Sequence, residues 1–224
     1  MSDSIDITEV KKLLADEDPQ LRLRGLVALK AYDSQTAVPL LIEQSNDQAF
    51  LVRSFVAMGL GRKRSDEAYA TLLKMLDRET DHNVQAEISN SLGLYGSVAA
   101  GRLVKLFYEN ENWLVRRSIL AIMPELDCPE KLLDISLAAL EDKDDTTAQA
   151  GMSTLSMLAG TEHEETALKA LLPKLDSANW RSRMYLAYAL KPFQSEAAKG
   201  ALTKLRQDKH HKVVAAALED LLPS

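Results

Sequence analysis

Cysteine occurs once in the 224 residues, as Cys128, so no disulfide can close within the chain. A lone thiol fits a reducing compartment, and a cytoplasmic protein is the expectation. Aromatic residues are scarce, at 5%. The core must therefore be built from Ala, Leu, Val and Ile, a composition that suits helices packed closely on helices. No apolar run reaches 18 residues, so no membrane-spanning helix is expected. The opening MSDSIDITEV has neither the basic start nor the apolar stretch of a signal peptide. Acidic residues outnumber basic ones by 33 to 27. That net charge of −6 argues against whole-protein attraction to nucleic acid or to an anionic membrane.

Catalytic constellations are missing as well. His82, His163, His210 and His211 lie in separate segments apart from the last pair, and no Cys or carboxylate spacing reads as a metal site. GLGRKR (59–64) lacks the lysine arrangement of a phosphate loop and precedes no strand. KHHK (209–212) is a basic tip that reads as a solvated end-cap, with phosphate binding at a helix start as the alternative. Cys128 precedes Pro129, and nothing cationic adjoins it in sequence to activate the thiol. The expectation is no catalytic residue, no metal and no resident cofactor.

What is present is a repeat. Anchors fall at Leu21, Val52, Val84, Val115, Thr147, Ser182 and Val213, and the spacing stays near 32 residues. Counting each anchor as position 0, position +8 is large and apolar in all seven: Leu29, Leu60, Leu92, Met123, Leu155, Leu190 and Leu221. Position +4 is apolar or Gly, and position +7 is mostly small, as in Ala28, Gly59, Ser91, Thr154 and Ala189. Positions 0, +4 and +8 share one face of an α-helix, so each unit carries a buried stripe. Position −3 is Asp or Asn in five repeats (Asp18, Asp81, Asn112, Asp144, Asn179), the residue types that cap a helix N-terminus. A second helical segment precedes each of these, for example EAYATLLKML and PEKLLDISLAAL. The pattern predicts an all-α, right-handed α-solenoid of about seven helix pairs, forming a single array over residues 1–224. The fifth repeat, with polar Thr147 and with Gly151 in its stripe, is expected to be the soft point.

The segments DPQLRLRGLVAL, AFLVRSFVAMGLG and NWLVRRSILAIM resemble the HEAT repeat, with its Asp/Asn cap, Val-Arg pair and closing Leu. The short period is similar to the HEAT-like repeats of the phycobilisome lyase group of cyanobacteria, and ENWLVRRSILA is similar to repeats of the phycobilisome-degradation proteins. In HEAT arrays the second helix of each pair lines the concave face, so the resemblance implies which side chains meet a partner.

Three features bear on that face. Position −2 carries a ring in most repeats (Phe50, His82, Trp113, Trp180, His211), and these rings are expected to seal the joints between helix pairs, with a ligand-holding ridge as the alternative. Arginine recurs at +1, as Arg22, Arg53, Arg116 and Arg183, and is expected to form an internal ladder by bridging caps such as Asp18, Asp81 and Asn112. Positions −2 to +8 of the first six repeats hold seven arginines against Glu87 and Asp145, which suggests an Arg-rich inner face. The candidate partner-binding residues are Arg24, Phe55, Met58, Trp113, Arg117, Trp180, Arg181, Tyr185 and Tyr188.

The leading expectation is a non-catalytic scaffold or adaptor that holds another protein in its concave groove. The resemblance directs this to a phycobiliprotein, in bilin attachment, bilin detachment or phycobilisome turnover, with a bilin as transient ligand. A bilin lyase or isomerase subunit is the enzymatic alternative. A HEAT-like DNA-binding protein is the third, and the net charge opposes it.

Overall fold

The computed structural model describes residues 6–219. Among these there are fourteen α-helices and no strand. The first helices of the pairs are α1 (Ile7–Leu14), α3 (Ser34–Glu43), α5 (Asp66–Arg78), α7 (Ala100–Glu109), α9 (Pro129–Leu140), α11 (Glu164–Leu171) and α13 (Glu196–Leu205). The second helices are α2 (Pro19–Ala28), α4 (Phe50–Lys63), α6 (His82–Gly93), α8 (Trp113–Ile122), α10 (Asp145–Ser156), α12 (Trp180–Leu190) and α14 (His211–Leu218). All seven second helices begin at position −2, two residues before the sequence anchor. The fold is the all-α repeat architecture of the solenoid class.

Caps explain that common start. Asp18, Asp81, Asn112, Asp144 and Asn179 each accept a hydrogen bond from a backbone N–H in the first turn of the helix that follows. His210 does the same for α14 through its ring nitrogen, a cap that the Asp/Asn rule passes over. Ala49, at the same position before α4, has no side chain able to accept. Each polar cap satisfies an amide that the helix itself leaves without a partner.

The contacts divide the chain into two compact units, one reaching to Leu126 and the other starting at Asp127. In the first unit, α2 packs on α4, α4 on α6 and α6 on α8, and each is backed by its own first helix. In the second, α10 packs on α12 and α12 on α14, backed by α9, α11 and α13. The stripe at 0, +4 and +8 forms the core of both. Val52, Val84, Val115, Thr147 and Val213 are buried, as are Leu29, Leu60, Leu92, Met123, Leu155 and Leu190. Leu21 and Ser182 are only half-buried, and Leu221 lies outside the described residues.

Small residues in the stripe set helix separation. A Cβ on Gly59 would lie 2.7 Å from Leu41 Cδ2, so α3 and α4 are close there and a larger residue would have to displace the end of the Leu41 side chain. Gly151 meets atoms that yield less. A Cβ there would lie 2.8 Å from the backbone nitrogen of Leu140 and 2.9 Å from Ala139 Cβ. The same helix pair is tied by a buried 2.7 Å hydrogen bond between Ser136 Oγ and Thr154 Oγ1. Within its own helix pair the fifth repeat is closely packed despite its polar anchor. Its small residues let α9 and α10 meet backbone to side chain, and buried Thr147 bonds the cap Asp144 through both its amide and its hydroxyl.

Two substitutions test this packing. Leu92→Ala should cost about 2–5 kcal/mol in a urea melt, since Leu92 is fully buried and its truncation leaves a cavity. Gly151→Ala should cost about 1–3 kcal/mol although it adds only a methyl, because the group it meets is backbone and cannot rotate away. A neutral Gly151→Ala would show that α9 and α10 separate freely.

Candidate functional site

The arginines at +1 do form a ladder, and their partner is a residue column that the repeat reading did not single out. Arg22 donates from Nε to Asp47 Oδ2 at 2.6 Å and from Nη2 to Oδ1 at 2.9 Å. Arg53 reaches Glu79 in the same way, at 2.7 and 2.8 Å, and Arg183 reaches Asp208 at 2.6 and 2.9 Å. Each carboxylate stands at position −5 of the next repeat. Nη1 turns back into the arginine's own loop, to Asp16 O and Glu17 O for Arg22, Asp47 O and Gln48 O for Arg53, and Ser177 O and Ala178 O for Arg183. One planar fork thus ties two consecutive loops, the bidentate geometry in which arginine excels.

The caps at −3 are not ladder partners, contrary to expectation. They are already occupied by the amides of their own helices. The −5 residue also orders its own loop: Asp47, Glu79 and Asp208 accept from the amides of Ala49, Asp81 and His210. Where arginine is missing, the acid is missing too. Gln85 stands at +1 of the third repeat and meets Asn110 at 2.8 Å, an uncharged rung of the same shape. Ala148 in the fifth repeat precedes Ser177 in the sixth, so that rung is absent. Arg116 donates to Asn110 O at 2.7 Å and lies 5.2 Å over the Phe107 ring.

These pairs are shielded. The Arg183 and Asp208 side chains are only 7% and 9% exposed. The hydrogen bond from Arg183 holds the Asp208 carboxyl below its ordinary range, and Asp208 in turn raises the arginine. Burial would by itself push Glu79 up, but hydrogen bonds from Arg53 and from the Asp81 amide outweigh it and leave the carboxyl lowered.

The ladder takes four of the seven arginines out of the proposed inner face. Arg24, Arg117 and Arg181 remain exposed. The rings at −2 also differ from expectation. Phe50 is 47% and Trp113 44% exposed, and His82 and His211 are exposed as well, so they do not seal the joints. As the first helical residue, each projects past the end of its helix rather than into the neighbouring one. Trp180 is the most covered of the larger rings. It stacks on His210 at 4.0 Å and 4°, with the guanidinium of Arg181 4.6 Å and the ammonium of Lys212 5.3 Å from its centroid. KHHK is therefore not a merely solvated tip, since its first histidine caps α14 and carries the indole.

At +3 and +6 of the second helices, Arg24, Val27, Asn90 and Tyr188 are exposed and Phe55, Met58, Glu87 and Tyr185 half-buried, whereas Ala216 is buried. In the first unit this stripe includes Arg24 and Val27 on α2 and Phe55 and Met58 on α4. Leu26, Val27, Leu41, Phe55 and Met58 line a mainly apolar hollow of about 340 Å³, with Lys30, Arg62 and Lys63 around it. Lys63 is held there by the carbonyls of Lys30 and Tyr32. Arg62 lies at the C-terminal end of α4, where the helix dipole favours a cation. Beside Arg62 is Glu87, the +3 residue of α6. Burial pushes its carboxyl up, and Arg62 opposes that rise only in part. In the second unit, Tyr185 is half-buried and Tyr188 exposed, with Lys191 Nζ 4.9 Å from the Tyr188 ring. Thus the structure joins Phe55 with Met58 and Trp180 with Arg181, while Arg24, Trp113 and Arg117 stand on exposed helix faces.

A helix-pair repeat with capped second helices and an inter-repeat arginine ladder defines a helical-repeat protein. The chain belongs to the HEAT-repeat family, whose profile matches residues 7–93 and 39–124, together more than half its length. Among solved structures it is similar to the complex of CpcE and CpcF of phycocyanin lyase from Nostoc sp. PCC7120, at 17% identity and a TM-score of 0.56, covering 97% of this chain and 95% of that one. It is also similar to an engineered protein, at 17% identity and a TM-score of 0.52, covering 95% of this chain and 66% of the other. At this identity the likeness is one of fold. No curated protein matches the sequence. No helix among the described residues is long and apolar enough to cross a membrane.

The ladder is tested by comparing Arg183→Ala with Arg117→Ala. The first should cost about 3 kcal/mol or more, because it leaves the Asp208 carboxylate shielded without its cation. The second should change stability by less than about 0.5 kcal/mol, as for an ordinary surface site. Acid titration supplies the second readout. Asp208 and Glu79 have lowered proton affinity when folded, so their stabilisation is present above the ordinary carboxylate range and is lost as pH falls through and below about 4. Asp208→Asn should flatten that acid limb. An unchanged limb would mean that the ladder does not hold the fold.

Proposed function

We propose that the chain is a non-catalytic protein-binding array whose working surface is the outward stripe of its second helices. The observation that carries this reading is the hollow at α2 and α4, where Phe55, Met58 and Val27 form an apolar surface bordered by Lys30, Arg62 and Lys63. Met and aromatic side chains adapt to and dominate protein interfaces, and flanking cations select acidic partners. Arg24, Trp113 and Arg117 extend the surface in the first unit. Trp180, Arg181, Tyr185 and Tyr188 are its counterparts in the second.

The partner proposed is a phycobiliprotein. Support comes from the fold shared with the CpcE–CpcF complex and from the match between a bilin and the hollow. A bilin has a flat apolar system and two propionates, which suit an apolar hollow with cations at its border. A transient bilin is thus compatible with a scaffold role in chromophore attachment, detachment or phycobilisome turnover.

A lyase-subunit reading has one specific observation in its favour. Burial raises the proton affinity of Glu87, which lies next to Arg62 of the hollow, and a carboxyl shifted in that direction is the kind of group that serves as a proton donor or acceptor.

Titration with a purified phycobiliprotein separates these readings. Wild-type chain should bind, and the pair Met58→Asp and Arg62→Glu should weaken binding more than tenfold with unchanged helical circular dichroism. Arg117→Glu and Arg181→Glu together should weaken it further, and rising salt should weaken the wild type through screening. Chromophore transfer that is lost in Glu87→Gln while binding persists would select the lyase. Full affinity in all these variants would overturn the stripe as the binding surface.

A further inference from the structure

We infer that Glu130, Glu162 and His163 form a binding site for a divalent transition-metal ion, with Zn²⁺ the best-suited occupant. One ligand atom from each of the three lies within 4.8 Å of the others. Glu130 is the second residue of α9, and Glu162 and His163 immediately precede α11, so all three belong to the second unit. Glu162 and His163 lie 32 and 33 residues after Glu130, and the three meet near the N-terminal ends of consecutive first helices, α9 and α11.

The imidazole is what singles this cluster out. Helix N-termini favour negative side chains, which accounts for Glu130 and Glu162 without any ligand. It does not account for His163. Its Nε2 is shielded from solvent and makes no hydrogen bond, and the nearest carboxylate oxygen of Glu162 is 3.9 Å away. A shielded ring nitrogen without a partner is costly and rare, and it calls for an explanation at the site where it occurs. A cation between the nitrogen and the carboxylates supplies one. It would use the imidazole lone pair and neutralise two negative charges at once.

The donor set also restricts the ion. One nitrogen and two carboxylate oxygens match Zn²⁺, whereas Mg²⁺ and Ca²⁺ prefer all-oxygen sites. Zinc bonds of about 2.0–2.2 Å need ligand atoms closer together than 4.8 Å. The required movement is available, because the Glu162 side chain is 78% exposed and can change rotamer, while His163 is largely enclosed and fixed. Three protein ligands leave a coordination position to water or to an incoming ligand, so the site resembles an open rather than a closed zinc site. The sequence reading expected no metal because it looked for ligands close together in sequence, and these three come from two repeats.

The test uses tag-free protein and Zn²⁺ alone, followed by calorimetry and by NMR of the histidine rings. His211→Ala is included in the background to break up the adjacent histidine pair, while His210 is kept because it caps α14. One Zn²⁺ per chain should bind, and the His163 ring signals should shift. Affinity should fall more than tenfold in His163→Ala. It should fall similarly in Glu130→Gln combined with Glu162→Gln, which alters only exposed side chains and leaves the fold intact. The same shift should not appear with Mg²⁺ at equal concentration. Binding that is unaffected by either set of changes, or a His163 signal that ignores zinc, would overturn the site.

Discussion

A guanidinium shared between two loops is the interaction on which the rest of this architecture depends. Helix pairs can bury apolar stripes against each other at many angles, and hydrophobic burial alone has little direction. The fork of Arg22, Arg53 or Arg183 has direction. Two of its nitrogens take both oxygens of the next repeat's acid, and the third holds carbonyls of its own loop. The acid in turn receives an amide two residues further on, next to the cap of the following helix. Loop shape, helix start and repeat-to-repeat offset are thus fixed by one group. The Gln85–Asn110 rung shows that shape matters more than charge, since an amide pair replaces both ions at once. The joint without a rung, between Ala148 and Ser177, must rely on packing alone.

Much of this was legible in the sequence because it is periodic. The anchors predict the first residue of every second helix, and the +8 column is buried wherever it is described. The +1 arginines were recognisable as a ladder because one residue type recurs. Their partners were not, for the −5 column mixes Asp, Glu, Asn and Ser and looks like ordinary loop polarity. The signal lay in its correlation with +1: each loss of arginine coincides with the loss of the acid. The rings at −2 were misjudged for a physical reason. Tryptophan tends to be buried on average, but the first residue of a helix points past the helix end, and there Phe50 and Trp113 stay half in water. Gly151 in the fifth repeat was read only as a small group in the stripe, and it is also the residue that lets α9 and α10 touch.

The candidate surface was legible only in part. Spacing placed Phe55, Met58, Tyr185 and Tyr188 at +3 and +6, where the first three are half-buried and Tyr188 is exposed. Spacing could not reveal that Lys30 and Lys63, from different repeats, border the same hollow as Phe55. Nor could it show that Glu87, an apparent exception among arginines, is a partly desolvated carboxyl. These properties arise from neighbours about 30 residues away, where a one-dimensional pattern has no view. The Glu130–Glu162–His163 cluster is hidden for the same reason.

Interior and surface are consequently under different constraints. The stripe, the caps and the ladder use positions −5, −3, 0, +1, +4 and +8, and +3 and +6 belong to none of these three devices. Those two positions differ from repeat to repeat: Val27, then Phe55 with Met58, then Glu87 with Asn90, and later Tyr185 with Tyr188. A fold that takes its arginines inward to hold loops together cannot also use them to attract polyanions. That accounts for why a chain with eight arginines on its second helices exposes only four of them. Recognition on such a surface would rest on apolar and aromatic groups with a few placed cations, which is the character of a protein or amphipathic-ligand site rather than of a nucleic-acid channel.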